Sequence, residues 1–542
     1  MGAGEDFVTR LTGRFELATA SGHFEAAGEG LTEPTLVRWL YEAAAYRPLW
    51  TRPDAVRALL EWVARAGEEG LDPEDYHFRA LRTLVSEGRG GANAVDRELL
   101  LTDAFVTLAV HLRTGKADPR RLFRSWNYEP DLSSAPGADE ILRAIAEGRV
   151  DAFLRARRPG GSLYPRLREA LGRYRAIAGH GGWKALPAGP TLHPGDRHPQ
   201  VALLRERLEK EGFLNDDPTS QPELFDRRLE AAVRAFQRLH LLEPDGVVGP
   251  ATRRALNVAV QRRIDQLRVN MERLRWVYHD VPDTFLGVDL AGFDLHLWMN
   301  HGPAWSSAVQ VGKPYHQTPV FRDTITYVEI NPTWTVPTSI TRRELAPKLL
   351  KDPVGFLKEK DMELLTASGR PVDPAAVDWS AITPRDFPYV LRQRPGPANA
   401  LGRIKFMFPN KYNVYLHDTP SKQLFSRTRR AFSHGCIRVQ KPLELGELLL
   451  RPNGPQWTRE HIQRLIDAGQ TRRITLKRPM PILILYLTAV PDLLNDPRRI
   501  QFRPDFYKRD AKVLKALQAH PREKGVALLA LYRKAEAAPK PE

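Results

Sequence analysis

Cysteine is almost missing: Cys436 is the one cysteine in 542 residues. An internal disulfide framework is therefore excluded, as is any structural zinc site built on several thiolates. Long apolar runs are missing too. The longest, Met480–Val490, has 11 residues, too few to cross a bilayer as a helix. The N-terminal stretch MGAGEDFVTRLTGRF lacks the basic flank and apolar segment of a signal peptide, so the protein either stays inside or has lost an export segment ahead of it. Acidic charge is in deficit, with 65 Asp and Glu against 81 Lys and Arg, for a net charge of +16. Such a balance suits an anionic partner: nucleic acid, a membrane surface or a wall polymer. Yet a long basic tail and zinc-finger spacing are absent, and the basic residues are dispersed, as in RLREALGRYRAI. Nucleic acid is not the expected partner.

What is present reads as ordinary folded protein, 42% apolar and 27% charged, in a chain too long for one core. From about Leu36 to Ile177 apolar residues recur three and four apart, as in AVRALLEWVARAGEEGL, which predicts helices and nothing visibly catalytic. A Gly- and Pro-rich linker follows at Gly179–Pro199. Between Leu192 and Asn257, Val201, Leu204 and Leu208 make one helical face, and Phe225, Leu229, Ala232, Val233 and Phe236 another. Asp245-Gly246 is a turn, and Pro250 suits a first helical position. These signs predict three short helices. After Trp276 the runs FLGVDL, FDLHLWM, SAVQVG and TITYVEI read as strands. A Pro- and charge-rich insertion with one amphipathic stretch spans Thr338–Ala400, and β character resumes in RIKFMFPN and YNVYLHD. The segment after the apolar run reads as a helical tail.

The chemistry gathers round the lone thiol. In NVYLHDTP, Val414 and Leu416 point to one face of a strand, Tyr415 and His417 to the other. His417 ends that strand, and Ser433-His434-Gly435-Cys436 begins sixteen residues later. A free thiol is only a few per cent thiolate near neutral pH. A nearby imidazole can accept its proton, and Arg438 can favour the anion. Gly435 removes bulk before Cys436, so that backbone N–H groups can approach an oxyanion. Two other readings stay open at this point: Cys436 as a buried apolar filler, and His417, His434 and Cys436 as zinc ligands.

A His, fifteen intervening residues and then Ser-His-Gly-Cys resembles the signature of the L,D-transpeptidase family. VGKPYHQTPVF, INPTWTVP, GPANALGRIKFMFPN and VYLHDTPSKQLF resemble its large multidomain members. VALLRERLEKEGFL, AAVRAFQRLHLL and DGVVGPATRRALN resemble the three-helix peptidoglycan-binding domain. The resemblance implies a multidomain α+β protein: a helical scaffold domain at 30–180, a three-helix peptidoglycan-binding domain at 192–258, a β-rich catalytic domain at 283–490 with an inserted lid at 338–400, and a helical tail at 491–542. It implies Cys436 as nucleophile and His417 as general base, with Tyr415 lining the pocket. His434 and Gly435, with the Cys436 amide, form or support the oxyanion site. Ser433 and Arg438 orient the loop or a substrate carboxylate, and Trp334 and Asn399 stand in the pocket wall. Many smaller members have Asn where Arg438 stands; the larger ones share the Arg.

The implied reaction joins peptidoglycan stem peptides by 3→3 cross-links through a cysteinyl thioester, releasing D-Ala, with carbapenems as inhibitors. It needs no cofactor and no metal, and implies an envelope or periplasmic location. Peptidoglycan is the partner, with cell-wall synthases unassigned. Hydrolysis of the same thioester by an L,D-carboxypeptidase or endopeptidase, and a non-catalytic wall-binding role, remain alternatives.

Overall fold

A computed structural model describes residues 3–88, 93–124, 126–128, 136–214, 220–279, 281–300, 302–493 and 495–536. Residue 494 and residues 537–542 of the expected tail lie outside them, as do residues 215–219 of the three-helix segment. The chain divides into two compact units, Met1–Val281 with Leu487–Glu542, and Pro282–Tyr486.

The first unit is mainly helical. Its central helix, Ala94–Thr114, is apolar on nearly every side and buried accordingly, from Leu99 to Leu112. Among its buried polar groups, Asp103 accepts the Thr32 and Glu33 amides, and His111 Nδ1 meets the Tyr76 hydroxyl at 2.9 Å. A two-residue ladder pairs β1 (Glu25–Ala26) with β2 (Glu29–Gly30). Further along, helices Pro199–Lys210, Arg227–Leu239 and Pro250–Leu256 pack Val201, Leu204, Leu208, Phe225, Leu229, Val233, Phe236 and Leu256 into one small core. The Asp226 side chain caps the middle helix by accepting the Leu229 amide. Pro250 opens the third, where its missing N–H costs nothing.

The second unit is built on β3 (Phe285–Asp289), β4 (Asp294–Met299), β5 (Gly302–Gly312), β6 (Phe321–Ile330), β7 (Trp334–Thr335), β8 (Met362–Leu365), β9 (Val390–Gln393), β10 (Ile404–Met407), β11 (Leu416–His417), β12 (Ala431–Ser433), β13 (Ile437–Val439) and β14 (Arg472–Leu485). Nine of them form one sheet in the order β12-β5-β13-β11-β10-β6-β14-β3-β4. The long β5 also pairs with β4, so all but β12 close into a ring. Ile404, Phe406, Leu416, Ile437 and Val439 are fully buried on one face of this wall.

The insertion is a small folded body. Strands β7, β9 and β8 form its own sheet over a core of Val336, Ala346, Leu349, Leu357, Met362, Leu364, Phe387 and Leu391. Its amphipathic stretch is not one continuous helix. A π-type turn occupies Thr341–Leu345, just ahead of Pro347, whose ring nitrogen has no proton to give the preceding turn. A separate helix starts at Pro353 under an Asp352 cap.

The C-terminal segment is not wholly helical. β15 (Ala489–Asp492) pairs with β16 (Asp496–Phe502) before helices Asp510–Gln518 and Gly525–Glu536. It belongs to the first unit, so the end of the apolar run leaves the sheet unit at Tyr486 rather than at 490. There the Glu33 carboxylate, raised to about 8 by burial, accepts the Lys524 and Gly525 amides at 3.0 and 2.7 Å.

Candidate active site

Register alone sets out one wall of the site. Lys405 on β10 lies beside His417 on β11, His417 beside Arg438 on β13, and Arg438 beside Gln310 on β5. Because side chains alternate, these four share a face, while Phe406, Leu416 and Ile437 make the matching row on the buried side. One step back along the same face stand Tyr415 and Cys436. The Tyr415 and His417 rings meet edge to face at 5.6 Å, and Lys405 Nζ lies 4.2 Å from the centre of the Tyr415 ring. Arg438 Nη1 donates to Gln310 Oε1 at 3.1 Å, and Gln310 Nε2 in turn to the Ser421 carbonyl.

The turn that carries the thiol is braced from within. Gly435 has φ of 119°, a region that side chains rarely enter. Its amide donates to Ser433 Oγ at 3.1 Å, and that hydroxyl donates to the Cys436 carbonyl at 2.5 Å. Thr318 Oγ1 donates to the Gly435 carbonyl at 2.8 Å. Cys436 itself is partly exposed, with Sγ 3.6 Å from the Asn413 carbonyl. That carbonyl sits in a loop ordered by Asn410, whose side chain accepts the Tyr412 and Val414 amides and donates to the Phe408 and Val414 carbonyls. Burial pushes the Cys436 thiol up; hydrogen bonds from Tyr415 and the charges of Lys405 and Arg438 pull it back. The same burial lowers Lys405 and raises Tyr415.

His417 is 3% exposed. Burial, then the Arg438 charge, depresses it to about 3, so it is neutral at physiological pH. Its Nδ1 faces the Asp418 carbonyl at 2.5 Å; a carbonyl only accepts, so in the neutral ring Nδ1 carries the proton. Asp418 is itself pinned, its side chain accepting the Arg403 amide at 2.9 Å and pairing with Lys422. Gly402 makes room for that carboxylate, since a Cβ there would sit 2.4 Å from it. A thiol, a neutral imidazole on the same face and a fixed third group holding its tautomer are the parts of a nucleophile–base pair.

The structure separates the other expected site residues from this group. His434 Nε2 meets Glu344 Oε1 of the insertion at 2.5 Å, and its ring lies 5.0 Å from that of His316. The Nε2 side of its imidazole is thus directed at the insertion. The Gly435 amide is spent on Ser433, which leaves Gly435 a conformational task. Asn399 is buried and its side chain is consumed by backbone, donating to the Pro332 and Arg394 carbonyls and accepting the Leu401 amide. Trp334 pairs with Gln393 and packs on the core of the insertion. The zinc set of His417, His434 and Cys436 is not assembled either, because His434 turns toward His316 and Glu344.

Lys405, Gln310, Thr318 and Asp418 stand beside Cys436, His417 and Arg438 and were passed over by sequence reasoning. The alternation in RIKFMFPN puts Lys405 on the polar face, which was the available signal.

Three protein families match the chain: a scaffold domain over residues 35–171, a "Putative peptidoglycan binding domain" over 197–256, and an L,D-transpeptidase catalytic domain over 283–455. A "Putative L,D-transpeptidase" of Haemophilus influenzae is 33% identical over 250 residues, 46% of this chain and 48% of that protein. The N-acetylmuramoyl-L-alanine amidase CwlM of Mycobacterium tuberculosis is 36% identical over 116 residues, 20% of this chain and 26% of that protein. The chain thus spans about half, or less, of the curated relatives it matches. The solved L,D-transpeptidase (residues 123-326) of Xylanimonas cellulosilytica is 15% identical, with a TM-score of 0.17, covering 55% of this chain and 99% of that one.

Proposed function

Residues 283–455 being an L,D-transpeptidase catalytic domain, in a chain that also carries scaffold and peptidoglycan-binding domains, we propose that Cys436 forms a thioester with a peptidoglycan stem peptide and passes it to the amine of a second stem. His417 Nε2 takes the thiol proton as Sγ attacks the carbonyl of the third stem residue. Nδ1 remains bonded to the Asp418 carbonyl, which steadies the imidazolium. The tetrahedral adduct collapses, the C–N bond breaks, and D-Ala leaves with the proton from His417. The incoming amine then attacks the thioester, His417 takes its proton, and the thiolate is expelled and reprotonated. The product is a 3→3 cross-link, and every proton returns to its place. Arg438 and Lys405 offer positive charge to the thiolate and to a donor carboxylate. Peptidoglycan lies outside the cytoplasmic membrane, so an envelope location follows from the substrate. Among the described residues no helix is long and apolar enough to cross a membrane.

The observation that carries this reading is the placement of Cys436, one residue ahead of β13, beside the parallel strand β11 that ends in a neutral, tautomer-fixed His417. The test is intact-mass measurement with a disaccharide-tetrapeptide and with a carbapenem. Acyl adducts on the wild-type chain, none on Cys436→Ala, and a cross-linked dimer as product are expected. An undiminished adduct on Cys436→Ala would remove the thiol from the reaction. A tripeptide product without dimer would make water the acceptor and the enzyme a carboxypeptidase.

A further inference from the structure

We propose that His316, Glu344 and His434 form a binding site for a zinc-class divalent cation, which ties the insertion to the turn that carries Cys436. One ligand atom from each lies within 4.8 Å of the other two. The three come from separate segments. His316 sits in the loop after β5, where its amide donates to the Lys313 carbonyl at 2.9 Å. His434 belongs to the braced Ser-His-Gly-Cys turn. Glu344 is presented by the π-type turn of the insertion, a local irregularity often found at binding sites.

The two loops that bear the histidines are fastened to each other, since Thr318 donates to the Gly435 carbonyl. The imidazoles are thus brought together by the backbone. They lie side by side at 5.0 Å and 46°, without the parallel overlap of stacked rings.

The donor set selects the ion. Two imidazole nitrogens and one carboxylate oxygen suit zinc and its first-row neighbours, whereas calcium and magnesium want mainly oxygen. Three protein ligands leave one tetrahedral position for water. Zinc bonds of about 2.0–2.1 Å require donors roughly 3.4 Å apart, so the His434–Glu344 pair, at 2.5 Å, must open by about 0.9 Å while the wider separations, at most 4.8 Å, close by up to about 1.4 Å, within the reach of side-chain rotation. His316 and His434 are partly exposed and Glu344 is exposed, so the ion has access from solvent. Cys436 is not among the gathered ligands. The site is therefore independent of the acyl-transfer reading, and its test needs no turnover.

Zinc titrated into the full-length protein against a chromophoric chelator should show one equivalent bound. His316→Ala and Glu344→Gln should each weaken it at least about tenfold, with thermal melts confirming that both fold. Cys436→Ala should retain the site, and the cobalt(II) form should show d–d bands without a thiolate-to-cobalt charge-transfer band. Absence of binding, equal affinity in His316→Ala, or loss of the site in Cys436→Ala would each overturn the proposal, the last by making the thiol the ligand.

Discussion

At the scale of single residues, the state of His417 has two measurable consequences. Its proton affinity sits near 3, against about 6.5 for an ordinary imidazole. Between those values the unfolded chain binds a proton that the folded chain refuses, so stability falls as pH falls. The limiting slope is about 1.4 kcal/mol per pH unit. His417→Gln removes that contribution, and denaturant unfolding across the acid range should show a shallower pH dependence by one proton. An unchanged slope would mean that the folded imidazole protonates freely. The same variant should acylate about 10²–10⁴-fold more slowly if His417 is the base. The thiol is the partner that limits the pH profile: burial holds it up while Lys405 helps bring it down. Acylation should therefore keep rising above neutral pH, and Lys405→Met should move that limb to higher pH. A limb that stays put would take Lys405 out of the electrostatics. Tyr415 and His417 were legible as sharing a face, because alternation needs only local sequence. The direction of His434 was not, because its partner Glu344 lies 90 residues away and only the folded insertion brings it near.

Among the elements, the insertion is the one whose structure the sequence hid. Its core residues Val336, Leu349, Leu357, Leu364 and Leu391 are scattered among prolines and charges without a sustained period, so neither helix nor strand spacing announces them. The strands β5 and β6 were easier to read, since β-branched and aromatic runs need no distant partner to be recognised, whereas β14 showed only as an apolar run. Because the insertion has a core and a sheet of its own, replacing residues 338–400 by a short Gly/Ser linker should leave the β-ring folded. It should also remove the Glu344 contact over the thiol-bearing turn and let water compete for the thioester. The ratio of cross-linked to hydrolysed product, measured by mass spectrometry beside a thermal melt, decides the matter. An unchanged ratio in a folded variant would deny the insertion a role as lid.

For the molecule as a whole, helical content ahead of a β-rich part was plain from hydrophobic period, whereas the destination of residues 487–536 was not. The apolar run reads as one piece, yet Tyr486 and Leu487 fall in different units. The three-helix segment is laced into its own unit, with Tyr174 donating to the buried Glu211 carboxylate at 2.7 Å. Deleting 192–257 should lower activity on intact sacculi while sparing small soluble muropeptides, since an anchor raises local substrate concentration without touching the chemical step. Equal losses on both, or a collapsed melt, would make the segment a structural brace. The return of the C-terminal segment to the first unit also bears on birth order. Leu529 completes the helical core, and Glu33 waits for the amides of Lys524 and Gly525. Both lie downstream of the whole sheet unit, which is contiguous. A ribosome therefore delivers everything the second unit needs before it delivers the last pieces of the first. The core of the first unit is therefore completed only once those residues emerge.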